Sequence, residues 1–194
     1  MSDAAESLSK DGLKALREWV TVIGVALVIA FLVRGFVLQQ FYISGPSMEP
    51  TMFQDNRVLV NKLSYRLHEI HRGDVVVFDR VTTDGVAVQH DDLIKRVIGL
   101  AGDTVSISKC VVSVNGQAID EPYLNEYDLA QANLDDRCRI PEMVGTKVAE
   151  GQLFVMGDNR PQSFDSRMFG TIDKSLVVGR AFVIIWPVGS FHWL

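Results

Sequence analysis

Cysteine is scarce in this sequence. Cys110 and Cys138 are the only two, 28 residues apart. That count excludes a disulfide-dense framework, and the spacing is not that of a zinc site. The pair can close into a disulfide in an extracytoplasmic setting or stay as two thiols, and the sequence leaves the choice open. Metal signatures are missing as well: His68, His71, His90 and His192 show no HExxH-type spacing. There is no basic excess. Nineteen Lys and Arg against 24 Asp and Glu give a net charge of −5, which argues against nucleic acid as a partner. No repeat of 20–50 residues recurs and no segment is of low complexity.

A long apolar run is present near the start. "WVTVIGVALVIAFLV" (19–33) carries no charge, and Val20 to Leu38 contains one charged residue, Arg34. About 20 apolar residues span a bilayer core, and a terminal arginine can snorkel to the headgroups. The run predicts a transmembrane anchor over 19–38. A buried core helix and a cleaved signal peptide are the competing readings. The run has no small-x-small site before Arg34, which fits an uncleaved anchor better. Lys10, Lys14 and Arg17 favour a cytoplasmic tail over 1–18, which places 39–194 outside. "SLSKDGLKALREW" (7–19) reads either as a short amphipathic helix or as a frayed tail.

The chain of 194 residues leaves room for one well-buried domain beyond the anchor. Its text is that of strands and turns: 57–63, 73–81, 85–90, 93–100, 103–108, 110–119, 151–157 and 176–186 are rich in β-branched and aromatic residues, punctuated by Gly, Asp and Asn. "VNGQ" (114–117) predicts a two-residue hairpin turn, because Asn-Gly readily takes positive φ. Residues 120–150 are more polar and read as an excursion from the main sheet. The expected fold is mostly β, an antiparallel, barrel-like domain behind one N-terminal transmembrane helix.

Three places look too specific for scaffolding. In "ISGPSMEP" (43–50), Gly45, Pro46 and Pro50 fix an unusual backbone path around Ser47. In "DDLIKRVIGLAGD" (91–103), Lys95 and Arg96 are adjacent, so in a strand they point to opposite faces. Arg96 cannot usefully lose its proton, whereas a desolvated lysine can. Lys95, with Ile94 and Val97 as apolar neighbours, is then a candidate base for a serine hydroxyl. The plainer reading is a Lys-Arg pair straddling an edge strand. "GDNRPQSFDSR" (157–167) packs two Asp, two Arg, two Ser and an Asn into eleven residues. It is either a cross-braced surface turn or a loop supporting a site.

Taken together and in this order, "SGPSMEPTM", "RGDVVVF", "LIKRVIGLAGDTV" and "GDNRPQSFDSRMFG" behind one anchor resemble the bacterial type I signal peptidases, in a single-anchor Gram-positive-like form. The resemblance runs from about Phe36 to Pro187. It implies a Ser–Lys serine endopeptidase needing no cofactor, with Ser47 as nucleophile and Lys95 as general base. It further implies that the Ser163 hydroxyl orients the lysine. Asp165 and Arg167 would pair beneath the site, and Asp158, Asn159 and Arg160 would hold the loop. The Ser47 N–H would hold the oxyanion. Gly45 stands where some members have a second hydroxyl donor, so another group must replace it. Ala101 stands where proline is frequent, which concerns a turn.

The resemblance also implies substrates and place. Exported preproteins would be cut after small residues, with the substrate adding as an extended strand. Ile43, Met48, Met52 and Ile94 would line its shallow pockets; plain core is the alternative for all four, and for Met48, fixed beside the nucleophile, the pocket is the favoured reading. The enzyme would sit in the bacterial plasma membrane, with the lipid bilayer as partner, the secretion translocon nearby and the catalytic domain on the outer face. Self-cleaving repressors of the DNA-damage response share the chemistry but carry a DNA-binding domain instead of an anchor. The mitochondrial inner-membrane peptidase has similar motifs, but the N-terminus here shows no transit signal. An inactive anchored β-domain that only binds exported proteins is the reading from another class.

Overall fold

The structure, a computed structural model, describes residues 2–32, 35, 37–83, 88–124 and 137–194. The chain divides into two compact units, Met1–Gln39 and Gln40–Leu194.

The first unit is helix α1 (Ser2–Leu32). Its apolar side chains from Trp19 to Phe31 are exposed, those two by 67% and 75%. Among the described residues no helix is long and apolar enough to cross a membrane. The uncharged part of α1 from Trp19 to Leu32 is short: at about 1.5 Å per residue it rises about 21 Å, against a hydrocarbon core of about 30 Å. The rest of the expected anchor includes Val33, Arg34 and Phe36, which lie outside the described residues.

The second unit is built from antiparallel strands. These are β1 (Leu38–Tyr42, its last three residues in this unit), β2 (Arg57–Asn61), β3 (Val75–Thr83), β4 (Val88–Gly99), β5 (Thr104–Ser108) and β6 (Val111–Val114). They continue with β7 (Gln117–Ala118), β8 (Met143–Lys147), β9 (Gln152–Met156), β10 (Ile172–Asp173), β11 (Val177–Trp186) and β12 (His192–Trp193). The main sheet runs β1-β2-β11-β3-β4-β9-β10, with β12 also on β11. A second sheet runs β7-β6-β5-β8. The mostly-β expectation stands. Among the described residues the main sheet does not close into a barrel: β1 and β10 end its path, and β12 joins it only through β11.

Side-chain alternation explains why the central strands read as unbroken apolar runs. Val75 and Val77 of β3 enter a core with Met48, Met52, Val58 and Val60, while Val76 and Phe78 enter another with Val97, Leu153 and Val155. A strand covered on both faces needs no polar side. Phe154 and Met156 of β9 turn from that second core into a third, shared with Val105, Val112 and Val114 of the second sheet.

Two local expectations change, and one open question closes. The stretches 85–90 and 93–100 were expected as separate strands, but Asp91 and Asp92 continue one twelve-residue strand, paired with Arg80 and Asp79 of β3. The excursion 120–150 contains a strand, β8, on the edge of the second sheet beside β5. One exposed face and Gly145 hid it from a pattern search. Cys110 and Cys138, left open by the sequence, form a disulfide. The Asn-Gly turn is as expected, with φ of 54° at Asn115 and 80° at Gly116.

Gly99 marks where β4 meets the second sheet. A Cβ there would lie 2.6 Å from Val105 Cγ2 and 3.1 Å from Phe154 Cβ. Gly99→Val is therefore expected to cost roughly 1–3 kcal/mol by overpacking. Gly189→Ala, which meets nothing within 4 Å, should cost less than about 0.5 kcal/mol. Urea denaturation checks both, and equal midpoints would refute the close approach.

Candidate active site

Ser47 lies in a single 3₁₀ turn, Pro46–Met48, which Pro46 starts with its φ already set. Glu49 N–H closes the turn on Pro46 O at 3.0 Å, and Met52 N–H donates to Met48 O at 2.9 Å. Met48 and Met52 are wholly buried and anchor the turn in the core, so Ser47, half-buried, stays at the surface of a rigid support. From the neighbouring loop, Asn159 N–H donates to Ser47 O at 3.1 Å.

Lys95 comes from the middle of β4, opposite Val76 of β3, with β9 on the other side. Only 3% of it is exposed. Its Nζ lies 2.8 Å from Ser47 Oγ and 2.8 Å from Ile94 O. Burial disfavours the ammonium and lowers its pKa to about 8, although Asp165 and Asp158 act in the opposite direction. The hydroxyl and amine expected from separate motifs, 48 residues apart, are thus in direct contact.

Two carboxylates lie behind the lysine, and each is held by an arginine through two nitrogens. Arg167 Nε and Nη2 donate to Asp165 Oδ1 and Oδ2 at 2.8 and 2.7 Å. Gly157 N–H adds a bond to Oδ2 at 3.0 Å. Burial alone would raise the Asp165 pKa, but Arg167 and the Gly157 N–H outweigh it and hold the carboxyl below the usual range. Arg96 Nε and Nη2 donate to Asp158 at 2.9 and 2.6 Å, and Thr51 Oγ1 donates to Asp158 Oδ2 at 2.6 Å. Such forked, charge-assisted bonds fix orientation as well as charge.

Ser163 is buried against Gly157, where a Cβ would lie 2.3 Å from Ser163 Oγ and 2.3 Å from Ser47 O. Glycine is required at that position by space alone. Among the described residues Ser163 Oγ has no hydrogen-bond partner, Lys95 included. It sits near enough to Asp165 to favour the ionised carboxylate slightly, outside hydrogen-bond geometry. Asn159 is half-buried, and Arg160 reaches out of the loop to Glu121 at 2.5 Å.

Ile43, Met48 and Met52 belong to one core cluster, with Ile94 packed on its margin. Met48 and Met52 have no exposed surface, so their packing here is that of core side chains; Ile94 is half-exposed. Residues the sequence reading passed over include Arg96, Thr51 and Gly157. Arg96 was read only as the residue that cannot be the base. Its signal was the strand alternation, which turns one of two adjacent cations away from the lysine's task. Among the described residues no group of His, Cys, Asp and Glu could hold a metal ion.

A family model described as signal peptidase, peptidase S26, matches residues 16–186. Signal peptidase IB of Staphylococcus aureus (strain MRSA252) is 37% identical over 188 residues, covering 93% of this chain and 94% of that protein. Signal peptidase I of Bacillus caldolyticus is 37% identical over 187 residues, covering 95% and 98%. A crystal structure of a signal peptidase I from Enterococcus faecalis V583 matches 58% of this chain and 97% of its own, with 28% identity and a TM-score of 0.44.

The Arg96–Asp158 pair is buried, its side chains 9% and 0% exposed. Asp158→Ala should cost about 3–5 kcal/mol, because it strands a buried cation. The double variant Arg96→Met, Asp158→Leu should cost clearly less than that single change. A double-mutant cycle by chemical denaturation measures the coupling, and additive effects would contradict the pairing.

Proposed function

The chain belongs to the signal peptidase family, peptidase S26, and is a serine endopeptidase; we propose that within it Ser47 and Lys95 form the catalytic pair that removes signal peptides from exported preproteins. The observation that carries this reading is the 2.8 Å contact between Nζ of Lys95, itself only 3% exposed, and Oγ of the half-buried Ser47. Two functional groups at such a distance meet the geometric requirement for proton transfer.

The steps follow from these groups. Neutral Lys95 takes the proton of Ser47 Oγ as the oxygen attacks the scissile carbonyl. The oxyanion of the tetrahedral intermediate is met by the Ser47 N–H. Collapse of that intermediate breaks the C–N bond, and Lys95 passes its proton to the departing amine. The acyl group, now an ester on Ser47, is released by a water that Lys95 deprotonates in turn. Asp165 and Asp158, each neutralised by its arginine, hold the site without forcing a permanent charge onto the lysine. Ser163 Oγ, buried beside Gly157 without a hydrogen bond to the lysine, would orient the amine only by turning toward it during this cycle.

Substrate would lie along the half-exposed margin at Ile94, presenting its small side chains there and toward Ile43. Met48 and Met52 support that margin from beneath. Membrane attachment belongs to α1: a row of exposed apolar side chains from Trp19 to Phe31 is what a helix meeting lipid presents. With Arg34 and the apolar residues after it, this segment would anchor the chain in the bacterial plasma membrane. The tail 1–18 would be cytoplasmic and the catalytic unit outside.

Only the neutral amine can accept the serine proton. With the lysine near 8, kcat/KM should rise with pH through about 8 and level off above it. Ser47→Ala and Lys95→Ala should each lower cleavage of a synthetic preprotein by roughly four orders of magnitude. Their melting temperatures should stay within a few degrees of the wild type. Mass spectrometry should place the cut after a small residue with another small residue two positions before. Normal processing by Lys95→Ala would keep the peptidase and remove the dyad. No cut by the folded wild type would favour a binding module.

A further inference from the structure

The disulfide has no part in the chemistry above, yet it ends close to it. It joins Cys110, at the turn between β5 and β6, to Cys138. Cys138 is buried, and its main-chain carbonyl accepts a hydrogen bond from Arg167 Nη1 at 2.6 Å. The other two guanidinium nitrogens of Arg167 grip Asp165. Asp165 in turn holds the Gly157 N–H, and Gly157 packs against both Ser163 and the Ser47 carbonyl. Covalent bond, carbonyl, guanidinium and carboxylate therefore form one line of contacts running from the second sheet to Gly157 and the Ser47 turn, with the Asp165 charge acting on the lysine.

We propose that Cys138 is a positioning residue for Lys95: its disulfide to Cys110 fixes the carbonyl that aims Arg167 at Asp165, and opening the disulfide loosens that grip and slows cleavage. The proposal rests on the reading of Lys95 as the base. A guanidinium held by one carboxylate alone can pivot about that edge, and a third fixed acceptor sets its plane. The Arg167 side chain is 1% exposed, so no bulk water stands ready to replace a lost carbonyl. Ile140 N–H also donates to the Cys138 carbonyl, at 2.6 Å, but that bond lies within the same short segment and moves with it; the ties from that segment to the second sheet act further along the chain. Cys110 N–H donates to Pro141 O at 3.1 Å, and Lys109 N–H to Glu142 Oε1 at 2.9 Å. The disulfide takes hold of Cys138 itself.

A dithiol reductant would open it by supplying two electrons and two protons. The sulfur–sulfur bond breaks, Cys110 and Cys138 become thiols, and the reductant becomes a disulfide. The consequence for the lysine has a definite sign. The charged groups acting on Lys95 are Asp165 and Asp158, paired with Arg167 and Arg96 respectively. Arg160, also near Asp158, is paired with Glu121. Loosening only Arg167 leaves Asp165 less neutralised, favours the ammonium and moves the lysine's titration to higher pH. A rise of about half a unit lowers the neutral fraction at pH 7 about threefold.

The test uses the full chain in detergent micelles, with a synthetic preprotein as substrate, oxidised and after treatment with a dithiol. We expect the acid limb of kcat/KM to move to higher pH on reduction, and activity at pH 7 to fall about threefold or more. Cys110→Ser should reproduce this without reductant. In Arg167→Lys, which lacks the fork, reduction should leave the profile where it is. An unchanged wild-type profile overturns the proposal, as does a fall in melting temperature with the pH limb unmoved, which would make the disulfide purely structural. If the oxidised wild type does not cleave at all, it is the functional reading that fails. The Arg167 Nε–H resonance then decides the proposal: a shift or loss on reduction supports it, and an unchanged signal overturns it.

Discussion

A lysine amine buried against a serine hydroxyl is the constraint around which this fold is arranged. Desolvation brings the Lys95 pKa down, and two carboxylates nearby work to restore it. Left bare, they would favour the protonated amine more strongly. Each is therefore gripped by its own arginine, Arg167 on Asp165 and Arg96 on Asp158. The scaffold then has to bury two ion pairs with almost complete hydrogen bonding, since a buried charge without partners costs several kcal/mol. Thr51, Gly73 O, Gly157 N–H and Cys138 O are the groups that complete them.

That requirement accounts for much of the architecture beyond the central strands. The loop 157–167 supplies both carboxylates and one of the arginines, and the short turn at its end is capped by Asp165, which accepts from Arg167 N–H. Arg160 carries the same loop outward to Glu121, and Arg96 stacks on the Tyr123 ring 3.9 Å away. Residues that read as an excursion from the sheet thus brace the site from outside. The second sheet contributes a shared core through Phe154 and Met156 and a covalent tie through Cys110.

The strands of the main sheet were legible because their alternation serves two cores, and the Asn-Gly turn because only that chemistry suits positive φ at both positions. Ser47 and Lys95 stood out as candidates through the rigid turn around one and the apolar neighbours of the other, only the family resemblance linked them, and the two side chains are in contact. What a single sequence does not carry is pairing across distance. Asp158 lies 62 residues from Arg96, and nothing local marks them as partners. Gly157 reads as one more turn glycine until Ser163 and Ser47 are seen on either side of it. Met48 and Met52 were expected at a substrate pocket. Flexible apolar side chains beside a nucleophile read the same whether they face a ligand or a core, and here they are fully buried. The strand β8 was lost because an edge strand with one wet face has too little pattern to show.

The most direct measurement is the titration of Lys95 itself. NMR of the intact chain carrying isotopically labelled lysine, with Lys95→Arg used to assign the signal, follows the amine through pH 6 to 12. The account predicts a midpoint near 8, well below the ordinary value for lysine. A midpoint above 10 would mean an ammonium throughout the working range, and would contradict the role given to Lys95 as the base.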